Sequence, residues 1–102
     1  MGLICAEWTQ VCATAAFSAR RQVSLVATPT KIYAIGGYDG TNLFNDIWVS
    51  ADDGSSWTLQ CAATSFTSLY SGCVSFGELL VSIPGNSVSK VWKSTDGSNW
   101  QV

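Results

Sequence analysis

Histidine is absent from this sequence, which removes the commonest general base near neutral pH and the commonest metal ligand. Charge is scarce as well: 12% of residues are charged, the five Lys and Arg are scattered, and the formal net charge is −2. Such a chain offers no basic footprint for nucleic acid or an anionic membrane surface, so neither is an expected partner. No apolar run approaches the roughly 20 residues that span a bilayer. The first residues, MGLICAEW, lack the basic start of a secretory signal, and Ala6 stands where the myristoylation pattern needs Ser or Thr, so a cytosolic terminus or an artificially added one is expected. The four cysteines, Cys5, Cys12, Cys61 and Cys73, show no C-x-x-C spacing. Neither a zinc site nor a redox pair is therefore indicated, and buried, reduced thiols are the expectation. No cofactor, no metal and no catalysis are expected.

What the sequence does have is apolar substance and repetition. Hydrophobic residues make up 47% of the 102, enough for a packed core. WTQVCATAAF from Trp8 aligns with WTLQCAATSF from Trp57, in place at Trp, Thr, Cys, Ala and Phe. With one deletion KIYAIGG (31–37) falls on LLVSIPG (79–85), and with a shortened loop DIWVSADDGSSW falls on KVWKSTDGSNW. Repeats of roughly 40–50 residues with Gly pairs and Trp signatures point to propeller blades. Within each unit four short strands are expected: QVSLVAT and SGCVSF, KIYAIGGY and ELLVSI, DIWVSA and KVWKS, then SWTLQCA and the short WQV. No stretch has helical spacing, so the fold class is all-β. EWTQVCA, ahead of the first unit, reads as one more fourth strand.

The second strand and its loop, IYAIGGYDGTNLFNDIW, with Gly36-Gly37 and an Asn-Asp before a hydrophobic-Trp pair, resemble a kelch repeat. The second unit departs from that pattern, with Pro84-Gly85 for the double glycine and Leu69-Tyr70 in the place of Arg20-Arg21. Ser50, Asp52, Gly54 and Trp57 resemble the Asp-box of sialidase-type propellers, and Ser94, Asp96, Gly97 and Trp100 match it with one residue fewer before the glycine. The resemblance implies two four-stranded antiparallel blades: residues 14–62 with a turn at 50–57, and residues 63–102 with a turn at 94–100. Residues 1–13 would serve as the fourth strand of a neighbouring blade.

Two blades cannot close a ring, so the expected partner is the chain itself, three copies making a six-bladed propeller or four an eight-bladed one. A fragment of a longer propeller is the other expectation.

In both turns a short polar side chain and an Asp two residues on can accept hydrogen bonds from their own backbone, so the turns are expected to fold the chain rather than hold an ion. The Asp-box resemblance implies the same, since there this turn lies on the face opposite the active site. Function is expected on the other face, in the loops from fourth to first and from second to third strand. Arg20 and Arg21 stand out there. In kelch-type adaptors of ubiquitin ligases arginines near this position contact acidic peptides, so the resemblance implies carboxylate reading. The alternative is that one arginine packs on a neighbouring blade and the other is solvated. Tyr38, Asp39, Asn42 and Phe44 in the loop, with Tyr70 in the other copy, suit peptide or sugar recognition or rim packing.

The five Trp fall at repeat-equivalent places and are expected in the core and between blades. The leading function is a non-enzymatic binding or structural propeller. The rival is a fragment of a glycan-processing or glycan-binding propeller of the sialidase kind. A copper enzyme of the galactose-oxidase kind would need histidine ligands.

Overall fold

The computed structural model describes residues 8–64, 72–83 and 90–102. Two antiparallel sheets account for its regular structure. The first contains β1 (Ser24–Ala27), β2 (Ile32–Tyr38), β3 (Leu43–Ser50) and β4 (Thr58–Cys61) in that spatial order. The second contains β5 (Gly72–Phe76), β6 (Leu79–Ile83) and β7 (Trp92–Ser94), also in sequence order. All seven lie within the stretches whose β-branched and alternating residues predict strands, except that β3 begins earlier, at Leu43. The fourth strand expected at residues 100–102 is reduced to a single bridge between Lys93 and Gln101, with backbone bonds of 2.8 and 2.9 Å. Among the described residues no helix is present.

The two sheets stack through one apolar layer. Val26, Tyr33, Ile35, Ile47 and Val49 project from the first sheet and Leu80 meets them from the second, with Cys61, Cys73 and Trp100 packed around them. The pairing explains the composition of this layer: Val26 stands opposite Tyr33, Tyr33 opposite Val49 and Ile35 opposite Ile47, so side chains two apart on each strand share the buried face. The loops sort to two ends. The turns between β1 and β2 and between β3 and β4 lie at one end, and the β2–β3 loop and the segment leading into β1 lie at the other.

Residues 8–20 form no strand, and Arg21 contributes only an isolated bridge to Tyr38. Phe17 from this segment packs on Trp48 and Trp57, with ring centroids 5.8 and 5.5 Å apart. Trp48, Trp57, Trp92 and Trp100 are thus half-buried, as expected of packing residues. Trp8 departs from that expectation, being 90% exposed. Cys12, Cys61 and Cys73 are separate thiols, and burial pushes the Cys73 thiol up to about 11; Cys5 lies outside the described residues.

Candidate functional site

At the loop end of the first sheet the two adjacent arginines part company. Gly36 and Gly37 take φ values of 65° and 116°, and the β2–β3 register shifts between Ile35 and Gly37. Side-chain-bearing residues resist both conformations, so the glycine pair is what allows this bulge. The bulge makes a seat for Arg20. A methyl group placed on Gly37 would meet Arg20 Cδ at 3.1 Å, and the carbonyl of Gly36 accepts from Arg20 Nη1 at 3.1 Å.

Every donor of the Arg20 guanidinium is used inside the chain. Nη1 also donates to Asp46 Oδ1 at 2.7 Å, Nη2 donates to Asp46 Oδ2 at 3.3 Å and to Ser18 Oγ, and Nε donates to the Ser18 carbonyl. Those five bonds equal the five N–H groups of an arginine. The cation lies 3.9 Å from the centroid of the Phe44 ring and 5.4 Å from that of Phe17, and only 4% of the side chain is exposed. Asp46 also accepts from the Trp48 indole at 2.9 Å. Burial by itself would raise the Asp46 carboxyl, but the hydrogen bonds from Arg20 and Trp48 and the charge of Arg20 outweigh it and hold the group below the usual range.

Arg21 is the opposite case. Its backbone pairs with Tyr38 at 2.8 and 2.9 Å, while its exposed guanidinium lies over the Tyr38 ring at 5.3 Å. Among the described residues it forms no ion pair. With Ala19, Arg20, Tyr38 and Asp39 it lines a shallow open depression of about 200 Å³.

The other expected site residues are brought close to it but are turned to different tasks. Asp39 folds the loop, accepting from Thr41 N at 2.8 Å and Asn42 N at 2.6 Å through one oxygen and from Asn42 Nδ2 through the other. The Asn42 backbone bond, ahead of that from Thr41, holds its carboxyl below the ordinary range. Phe44 belongs to β3 rather than to the loop, and its ring is a floor for Arg20. Tyr70 lies outside the described residues. Asp46 and Phe17 complete the arginine seat without having been singled out from sequence. The cue for Asp46 was present, since an arginine that becomes buried requires a carboxylate partner.

The span that carries this seat is also the span of a recognised repeat. Residues 19–49 match the Kelch motif. The motif encloses both arginines, the glycine pair, Phe44 and Asp46, and so supports kelch-type repeats in this chain. Comparison with curated proteins yields no match. The two sheets of four and three strands are consistent with kelch blades.

At the opposite end the two repeated turns use one plan. Ser50 Oγ accepts from Gly54 N at 2.8 Å and donates to Asp52 Oδ1 at 2.8 Å; Ser94 Oγ accepts from Gly97 N at 2.8 Å and donates to Asp96 Oδ1 at 3.1 Å. Trp57 donates to the Gly54 carbonyl at 3.0 Å and Trp100 to the Gly97 carbonyl at 3.1 Å. The missing residue is absorbed by a change of partner: Asp52 takes the hydroxyl and N–H of Ser56, whereas Asp96 takes the N–H groups of Ser98 and Asn99 and the Asn99 amide. Both carboxylates are thus engaged by their own turns.

These bonds carry a pH signature. The Ser56 hydroxyl, then the Ser56 N–H and the Ser50 hydroxyl, hold Asp52 down to about 2, and the Asn99 N–H and amide hold Asp96 well below the ordinary range. A carboxylate depressed by folding stabilises the fold above its unfolded value near 3.9 and loses that contribution as pH falls through the folded value. Stability is therefore expected to decline from about pH 4 towards pH 2, with Asp96 extending the decline lower. Urea midpoints collected across this range should fall less steeply for Asp52→Asn than for the parent. Identical slopes would contradict the turn network.

Proposed function

We propose that the chain is a non-enzymatic binding module of the β-propeller type, in which the two sheets act as neighbouring blades and the two repeated turns are Asp-box turns. Binding falls to the loop end of the first blade, and the residue that carries it is Arg21. The supporting observation is the contrast between the two arginines: Arg20 has spent all five donors on Ser18, Gly36 and Asp46, whereas Arg21 presents an exposed guanidinium beside Tyr38 with no ion pair among the described residues. A guanidinium fork next to an aromatic face suits a carboxylate, so the partner class is an acidic peptide. The glycan-binding reading is less favoured by the same contrast, because a sialidase-type site needs an arginine cluster and the first blade has one arginine free. The ring itself is proposed to form from copies of the chain, three giving six blades and four giving eight, with three favoured.

Fluorescence anisotropy with labelled acidic peptides, and separately with sialylated glycans, tests the site. Arg21→Ala is expected to weaken acidic-peptide binding by at least about tenfold, the loss of one charge-assisted hydrogen bond. Tight binding of a neutral ligand that Arg21→Ala leaves unchanged would refute the assignment.

A further inference from the structure

The two sheets are copies, yet one face of each has opposite surroundings. Strand pairing puts Val74 at the position of Val26, because Val74 stands opposite Val81 as Val26 stands opposite Tyr33. The same correspondence sets Ile83 on Ile35 and Val91 on Ile47. In the first sheet these positions are the core, with exposures of 7% at Val26 and 0% at Ile35 and Ile47. In the second sheet they face outward, with exposures of 62% at Val74, 56% at Ile83 and 47% at Val91. Apolar residues in a core pattern, left open on a sheet face, call for a further layer of the kind that covers their counterparts.

What covers the counterparts is known in detail. The second sheet lays its turn on the first: Ser98 Oγ donates to the Gln60 carbonyl at 2.7 Å, Gln60 Nε2 donates to the Asp96 carbonyl at 2.7 Å, and Gly97 lies against Tyr33 and Gln60 Cγ. The offset that carries Trp8 onto Trp57 carries Val11 onto Gln60. Val11 stands beside the glycine of the other turn, its Cγ2 3.7 Å from where a methyl on Gly54 would be. Val11 therefore holds, towards the first turn, the station that Gln60 holds towards the second, and Cys12 follows it in sequence as Cys61 follows Gln60. On the other side of the first sheet Leu25 is 63% exposed, at the position of Cys73, which packs on the core layer.

We infer that the outer face of the second sheet, formed by Val74, Val81, Ile83 and Val91, is the docking surface for a second copy of this chain. The incoming copy seats its 50–57 turn there as the 94–100 turn is seated on the first sheet, with its Cys12 beside Val91 as Cys61 pairs beside Ile47. This inference rests on the proposed ring and fixes which surfaces form its joints. The contact is head-to-tail, so each copy uses one face as donor and the other as acceptor, and the series closes when the rotation per copy divides a full turn.

Light scattering on the full chain, together with two exposed-site substitutions, tests it. Val74→Glu and Ile83→Lys alter residues that face water in the single chain, so each variant is expected to keep its strand signature by circular dichroism while its mass falls from the assembled value to that of one chain. A second arm does not depend on disrupting anything. Cross-strand Cα neighbours lie about 4.5–5.5 Å apart, within reach of a disulfide. Val91→Cys treated with a mild thiol oxidant should therefore link copies into a ladder on a non-reducing gel, and the additional change Cys12→Ser should abolish it.

A parent chain that is monomeric at tens of micromolar would overturn the ring and this inference together. A parent that assembles, with Val74→Glu and Ile83→Lys still assembled and no Cys12-dependent ladder, would overturn the docking surface and leave the ring standing on some other contact.

Discussion

Asp46→Ala is expected to lower the unfolding free energy by about 3 kcal/mol, near the lower end of the range for removing one partner of a buried ion pair. The magnitude follows from what remains behind. Arg20 cannot withdraw to water easily, since its side chain is 4% exposed and its guanidinium lies 3.9 Å from the Phe44 ring centroid and 5.4 Å from that of Phe17. Without Asp46 two of its five N–H groups lose their acceptors, and the Trp48 indole loses its own. The Asp46 side chain keeps 18% exposure, so water can partly replace the lost carboxylate, which places the effect at the low end. Asp46→Asn, which retains an acceptor but not the charge, should cost less. Urea unfolding followed by tryptophan fluorescence measures both, and a loss under about 1 kcal/mol for the alanine variant would contradict the enclosed pair. The carboxyl is held below its ordinary range, so its contribution is present above about pH 4 and is lost as acid protonates it.

Gly97→Ala should have a comparable effect for a different reason. Gly97 has φ of 75°, a conformation that costs an L-residue about 1–2 kcal/mol, and the new methyl would stand 2.6 Å from Tyr33 Cε1 and 3.3 Å from Gln60 Cγ. Tyr33 is 3% exposed and held in the layer between the sheets, so the ring has little space into which to retreat. Overpacking of this kind adds about 1–3 kcal/mol, for a total of about 2–5 kcal/mol. Gly54→Ala is the internal control. It carries the same backbone strain at φ of 92°, but its nearest neighbour, Val11 Cγ2, would lie at an ordinary 3.7 Å. The difference between the two variants in urea unfolding reads the steric part alone, and equal losses would contradict the seating of the second turn on Tyr33.

Short β-rich or apolar runs and turn chemistry made the seven strands legible, with alternation of apolar and polar residues in the third strand of each unit. The start of β3 was hidden, since Leu43 and Phe44 follow a run of Asp, Gly, Thr and Asn that reads as loop. The pair Arg20 and Arg21 illustrates a deeper limit. Side by side in sequence they look equivalent, and what separates them is the bulge at Gly36 and Gly37, where the missing Cβ of Gly37 leaves room for the Arg20 side chain. A bulge changes the direction of a side chain without altering the pattern of residue types, so sequence could offer both outcomes but not assign them. The Trp8 segment shows the reverse: alignment placed it as a strand, while strand formation depends on an edge to pair with, and residues 8–13 pair with none among the described residues.

The seat of Arg20 also constrains how the repeat can change. In the second unit the arginines are replaced by Leu69 and Tyr70, the glycine pair by Pro84-Gly85, and the place of Asp46 is taken by Lys90. All three parts differ at once. In the first unit the arginine without its carboxylate would be a buried unpaired charge, whereas Lys90 is exposed, so a carboxylate placed there meets solvent and carries no such cost. In the first unit the parts depend on one another, because Arg20 draws its bonds from Asp46 and from the Gly36 carbonyl at the bulge. Transplanting the kelch seat into the second unit therefore demands arginine, aspartate and double glycine in one move, and Lys90→Asp alone should contribute nothing.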